Sequence, residues 1–181
     1  TKIAAIINET KNENVTSFAG VPSWMLVLMN KMLEETGKGN LFELWPNLEV
    51  YFHGGVNFEP YREQYKKILP KKDFKYYEIY NASEGFFAYQ DSQKEKGMLL
   101  LLNSGIFYEF IKSDEFYIEN PKRYTIGEVE LGVNYVLIIS TNAGLWGYNI
   151  GDTVQFTSLK PYRIIVSGRI KHYISAFGEH V

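Results

Sequence analysis

The chain has 181 residues, 45% hydrophobic and 22% charged, enough to bury a sizeable core and too apolar for disorder. A formal charge of −2 argues against a surface built to bind a phosphate backbone, and the absence of cysteine excludes both a disulfide framework and a thiolate metal site. The lack of cysteine is compatible with a cytoplasmic setting, which is the one expected, and apolar runs such as residues 98–102 and 133–139 fall far short of the roughly 20 residues a membrane span needs.

In chain order, residues 1–8 read as the end of a helix already under way. Residues 15–19 are short and β-prone, and Gly20 with Pro22 breaks them. From Ser23 onward, Trp24, Leu28, Met32 and Leu33 carry helical spacing up to Gly37-Lys38-Gly39. Residues 48–52 read as a buried strand closed by Gly54-Gly55. Pro60 then opens a second amphipathic helix through Tyr61, Tyr65, Ile68 and Leu69, which Pro70 stops. The lysines at 66–67 and 71–72 suit a solvated helix end, where cations are favoured. Residues 74–80 form the next strand. Strand–helix–strand repetition of this kind implies parallel pairing through crossover helices.

Beyond about residue 90 the pattern changes. Short strand candidates at 86–89, 98–102, 107–111, 128–130, 135–140, 152–156 and 163–167 alternate with turns, and no long helix interrupts them. The fold class expected is therefore α/β: a partial parallel sheet with crossover helices, followed by an antiparallel or barrel-like β subdomain. The expected division is an α/β half over 1–90, a β-rich subdomain over 91–167 and a further segment over 168–181. Aromatic residues (14 Tyr, 12 Phe and 3 Trp) make up 16% of the chain, which core packing mostly accounts for.

Three polar segments stand just past apolar, strand-like runs. Tyr80-Asn81-Ala82-Ser83-Glu84 offers a flat ring, a hydroxyl and a carboxylate within five residues. These suit adenine, a phosphate oxygen and Mg²⁺, a cation that takes oxygen ligands and few protein carboxylates; a strand ending in a polar turn is the plainer reading. Tyr148-Asn149-Ile150-Gly151-Asp152 follows, with an Asp able to accept from two ribose hydroxyls or simply to close a β-turn. Gly168-Arg169-Ile170-Lys171 carries a guanidinium able to fork two hydrogen bonds to ribose or phosphate, or to lie solvated at the surface. Gly54 and Gly55 allow close backbone approach or a tight turn. His53 beside them reads as structural. Trp24 and Met25 at the start of the first long helix read first as core.

In order and spacing these segments resemble the central portion of the adenylate-forming superfamily that includes acyl-CoA synthetases and firefly luciferase. Their surroundings look most like its acyl acid–amido synthetase branch, also called the auxin-responsive promoter family. The resemblance implies that Tyr80 stacks on adenine, Ser83 contacts phosphate and Glu84 holds the metal. It further implies that Gly54 and Gly55 wall the adenine and acyl pocket, and that Asp152 and Arg169 bind the nucleotide's ribose. Lys171 falls on the hinge of a C-terminal lid, Phe177-Gly178-Glu179 on the loop that opens it, and Trp24 with Met25 borders the acyl-acid pocket. Asn149 stands where an Arg is common, which takes charge from that position. Two hallmarks are not seen: a Ser/Thr/Gly-rich phosphate loop and a lid with its catalytic Lys. A piece of a longer protein is thus expected.

The activity implied is ATP- and Mg²⁺-dependent ligation, in which a small carboxylic acid is adenylated and its acyl group passed to an amine or amino acid. Transfer to coenzyme A, as in arylacetate–CoA ligases, is the alternative enzyme, and a non-catalytic nucleotide-binding scaffold is the alternative of another class.

Overall fold

The computed structural model describes residues 2–170. The chain divides into two compact units, one ending at Ile79 and the other opening at Tyr80. Each is described by itself.

The first unit is a three-stranded parallel sheet with helices. Its order is α1 (Lys2–Thr10), β1 (Ser17–Gly20), α2 (Pro22–Thr36), α3 (Leu41–Leu44), β2 (Val50–His53), a 3-10 turn (Glu59–Tyr61), α4 (Arg62–Ile68) and β3 (Lys75–Ala82). The boundary between the units falls within β3. Strands β1, β2 and β3 pair in parallel with Phe18 opposite Tyr51 and Tyr51 opposite Tyr76. This is the arrangement expected from the alternation of strands and helices, since parallel neighbours need a crossover.

Helix α2 starts with Pro22 in its first turn, where the missing N–H costs nothing, and ends at Gly37 in the left-handed conformation (φ 65°). The amides of Gly37 and Lys38 both reach back to the Leu33 carbonyl. Pro22, Leu26, Met29, Met32 and Leu33 form its buried stripe. Trp24 lies two residues from both Pro22 and Leu26, about 200° around the helix, and is 77% exposed. The core position expected for Trp24 is therefore wrong; Met25 packs partly against the core. Helix α3 has no counterpart among the expected elements. One turn long, it depends on its cap: the Asn40 side chain accepts from the amides of Phe42 (3.0 Å) and Glu43 (3.3 Å).

Much of the aromatic surplus sits beneath this sheet. Tyr65 donates to the Pro22 carbonyl (2.8 Å) with its oxygen 3.2 Å from the Tyr51 hydroxyl, and Tyr51 donates to the Gly20 carbonyl (2.9 Å). The hydroxyls of Tyr51 and Tyr65 are thereby satisfied, which removes the penalty of hiding them. Burial pushes the Tyr51 hydroxyl up to about 12.

The second unit is an open antiparallel sheet and not a closed barrel. Its strands are β4 (Gly85–Tyr89), β5 (Met98–Leu100), β6 (Ile106–Lys112), β7 (Asn134–Thr141), β8 (Tyr148–Leu159) and β9 (Tyr162–Arg169). They lie in the order β4-β5-β9-β8-β7-β6. One face carries the main core, with Phe87, Phe110, Tyr135, Leu137, Phe156 and Ile164 at its centre. Ile111, Val136 and Ile138 form a smaller cluster. Alternate residues of β7 enter the two clusters, so its sequence reads as a continuous apolar run. The buried Arg163 guanidinium is held in two hydrogen bonds by Asp91, which neutralises it on burial.

Two expectations need correction here. No strand spans 128–130; a 3-10 turn (Ile126–Glu128) stands there, closed by a capping box in which the Glu128 carboxylate accepts from the Thr125 amide (2.8 Å). Strand β8 begins at Tyr148, so the Tyr148–Asp152 segment lies inside a strand and not beyond one. Gly151, at φ 86°, is tolerated there because the pairing with β7 is irregular between Val136 and Ile138.

Candidate functional site

Three of the side chains singled out above, Tyr80, Asp152 and Arg169, meet in the second unit. Asp152 and Arg169 are directly opposed residues on β8 and β9, and Arg169 Nε donates to Asp152 Oδ1 at 2.6 Å. The Ile170 amide donates to the Gly151 carbonyl (2.9 Å), continuing the pairing past the end of β9. The other Asp152 oxygen, Oδ2, accepts from the Tyr80 hydroxyl at 2.9 Å, across 72 residues of chain. Asp152 is 7% exposed, so both of its oxygens are engaged where water is scarce. Burial, and then the Asp152 charge beside it, drive the Tyr80 hydroxyl far above its ordinary value, so it stays a donor.

Glu84 stands in the turn between β3 and β4, partly buried, with the exposed Ser83 beside it. Its Oε1 accepts from the Tyr148 hydroxyl at 3.1 Å. A symmetry follows from these distances. Each acid stands four residues after a tyrosine (Tyr80 and Glu84; Tyr148 and Asp152), and each tyrosine holds the acid of the other segment. Sequence reading quoted all four residues without finding this exchange. The repeated Tyr-x-x-x-acid spacing was its one visible sign.

The expectation that Tyr80 offers a flat ring meets a constraint. The ring is 7% exposed and tilts against Phe87 at 5.0 Å between centroids. Stacking on a planar ligand requires it to turn out of this packing. Asn149 serves its own backbone: its Oδ1 accepts from the Gly151 amide at 2.9 Å and shapes the bend ahead of Asp152.

Gly54, Gly55, Trp24 and Met25 belong to the first unit. A Cβ on Gly54 would lie 2.3 Å from the Ile79 carbonyl oxygen, and Gly55 has φ 83°, so both positions demand glycine on backbone grounds alone. His53 is buried and stacked on Phe58 at 4.2 Å. Its Nδ1 has no hydrogen-bond partner among the described residues. Burial, reinforced by the Arg62 charge, lowers its pKa to about 4, so it is neutral at ordinary pH. Lys171 and residues 177–179 lie outside the described residues.

Among the described residues no three His, Asp or Glu gather as a metal cage. A single partly buried carboxylate at Glu84 fits Mg²⁺ of the kind that brings phosphate and water oxygens with it, since that ion often takes one or two protein carboxylates. The Asp152–Arg169 pair offers an acceptor and a donor at one place, which suits a hydroxyl-rich ligand such as ribose.

The fold compares closely with solved structures. An acyl acid amido synthetase in complex with 2,4-DB, AtGH3.15, superposes with a TM-score of 0.68 over 96% of this chain and 39% of that one, at 14% identity. A 2-hydroxyisobutyryl-CoA ligase in complex with 2-HIB-AMP and CoA gives 0.66 over 96% and 40%, at 15% identity. The luciferase-like enzyme of the mealworm Zophobas morio gives 0.57 over 94% and 41%, at 15% identity. The chain thus has the fold of the acyl-adenylate/luciferase superfamily. It belongs to the GH3 family: residues 1–74 match the GH3 family N-terminal domain and residues 99–169 the GH3 family central domain. Among curated relatives, the indole-3-acetic acid-amido synthetases GH3.4 and GH3.3 of Arabidopsis thaliana are 25% and 28% identical over 87% and 68% of this chain. The chain spans about a quarter of the length of these relatives (26% and 21%). Among the described residues, no helix is long and apolar enough to cross a membrane.

Proposed function

We propose that this chain is the nucleotide-handling part of an ATP-dependent ligase that activates a small carboxylic acid and passes its acyl group to an amine, an amino acid being the favoured acceptor. The observation that carries the reading is the pair of crossed tyrosine hydrogen bonds, Tyr80 to Asp152 and Tyr148 to Glu84, that tie the two acid-bearing segments together, with Arg169 held on Asp152. In the first half-reaction a carboxylate oxygen of the acid attacks the α-phosphorus of ATP, the bond to the β-phosphate oxygen breaks, and pyrophosphate leaves. In the second, the amine nitrogen attacks the acyl carbonyl, AMP departs and the nitrogen gives up a proton.

Residue roles follow from position. Asp152 accepts from ribose hydroxyls through lone pairs left free by Tyr80 and Arg169, because a carboxylate has about four acceptor sites. Arg169, with its side chain 44% exposed, keeps its outer N–H groups for ribose or phosphate. Ser83 lies beside Glu84 at the turn, where its hydroxyl can reach a phosphate oxygen. Tyr80 orients Asp152 and borders the base. Glu84 would hold Mg²⁺, which when bound would supply charge neutralisation for the phosphate oxygens. Gly54 and Gly55 as pocket wall, Trp24 and Met25 as neighbours of the acid, and Lys171 as hinge stay in the proposal on family likeness. A cytoplasmic setting suits an ATP-using chain without cysteine.

Acid-dependent exchange of pyrophosphate into ATP by the full-length protein tests this reading. Glu84→Ala abolishes exchange while the fold is retained; a variant that folds and still exchanges refutes it. A second reading, transfer to coenzyme A, has the fold likeness to 2-hydroxyisobutyryl-CoA ligase in its favour. Product analysis with amino acids against coenzyme A separates the two.

A further inference from the structure

Glu84 sits on a turn and Tyr148 on a strand, and that difference assigns work. The turn leaves a glutamate several rotamers, and fixing them needs a partner. The hydrogen bond from Tyr148 supplies one, made between residues 64 apart in the chain. Tyr148 itself is held from both sides. Its backbone pairs with Ile139 on β7. The preceding amide, Gly147, donates to Ser140 Oγ at 2.9 Å, and the following Asn149 shapes the bend to Gly151. On the other partner, Gly85 follows Glu84 directly, and a Cβ there would stand 3.0 Å from Ile106 Cδ1, so the turn is pressed onto β6.

We propose that Tyr148 is a positioning residue for the metal carboxylate: its hydroxyl engages Glu84 Oε1 and thereby presents Oε2 to Mg²⁺. The inference rests on the reading above that Glu84 is the metal-binding group. A fixed donor on one oxygen sets which oxygen faces the ion and lowers the ordering cost when the ion arrives, as outer-shell partners of metal ligands do elsewhere. The crossed partner acts at the other end: Tyr80 orients Asp152 toward the nucleoside. Two tyrosines of one spacing thus divide the labour, one for the metal end of the ligand and one for the ribose end.

The test is a Mn²⁺ titration of the full-length protein with a non-hydrolysable ATP analogue, followed by electron paramagnetic resonance, with nucleotide affinity measured separately at saturating metal. Tyr148→Phe weakens Mn²⁺ binding about tenfold, in the range seen for lost outer-shell partners, and leaves nucleotide affinity at saturating metal unchanged. Tyr80→Phe does the reverse. A Tyr148→Phe protein that binds Mn²⁺ as the wild type does, or loses metal and nucleotide affinity by the same factor, overturns the proposal. Glu84→Gln in the same titration separates the two levels: if it leaves Mn²⁺ affinity untouched, the reading of Glu84 falls, whatever Tyr148 does. Should Tyr148→Phe lose its cooperative melt, 3-fluorotyrosine placed at 148 keeps the ring and the hydroxyl and makes that hydroxyl more acidic at the cost of one small substituent. A Mn²⁺ affinity changed twofold or more then supports the role, and an unchanged one overturns it.

Discussion

The two units use their tyrosine hydroxyls in opposite ways. In the first, Tyr65 and Tyr51 donate their hydroxyl hydrogens to the backbone carbonyls of Pro22 and Gly20, so the phenols end in neutral, structural bonds. In the second, Tyr80 and Tyr148 give theirs to carboxylates that arrive from distant segments. A neutral bond closes a core; a charge-assisted bond fixes where an anion points, and an anion that points somewhere can meet a ligand. The comparison teaches that aromatic content alone says little about function. The group that receives each hydroxyl's proton says more.

The sharpest way to break the comparison is to remove one hydroxyl from each unit. Tyr80→Phe takes a donor from a buried carboxylate and should lower stability by about 2–3 kcal/mol, with pyrophosphate exchange falling as well. His53 gives a pH-dependent contrast within the first unit. Its folded pKa of about 4 lies below the ordinary 6.5, so below pH 6.5 the unfolded chain binds a proton that the folded one refuses. Stability contributed by His53 is therefore present above pH 6.5 and lost as pH falls toward 4. Between pH 6.5 and 5 the loss is about 2 kcal/mol, and urea midpoints of wild type against His53→Phe isolate it as a difference in slope. The smallest effect belongs to Tyr65→Phe, about 1 kcal/mol by the same denaturation, with exchange kinetics unmoved. If Tyr65→Phe instead cost exchange and Tyr80→Phe did not, the division between the units would be reversed.

Most of the architecture was legible in the chain because it rests on local signals. The parallel half followed from Gly20-Pro22, the run to Gly37, and Pro60 with Pro70 around α4, each a punctuation mark with a steric cause. What escaped depended on non-local partners or on a single cap. Helix α3 hangs on the Asn40 side chain, too short a segment for periodicity to register. The turn at 126–128 replaced an expected strand because Glu128 reaches back to Thr125, a contact that composition does not reveal. Trp24 was misplaced because several apolar residues crowd α2, and the stripe chosen by the fold runs through Pro22, Leu26, Met29, Met32 and Leu33. For the site, the acids and Arg169 were legible as residue types near strand ends. Their crossed tyrosine partners were not, since Tyr148 and Glu84 are neighbours only once β8 and the β3–β4 turn have formed.

Calorimetric titration of the full-length protein with a non-hydrolysable acyl-adenylate mimic, wild type against Asp152→Asn, probes the meeting of these side chains around a nucleotide most directly. The account predicts binding weakened at least tenfold, because the asparagine loses the charge that Arg169 and a ribose share. Equal affinity in the two proteins would contradict it.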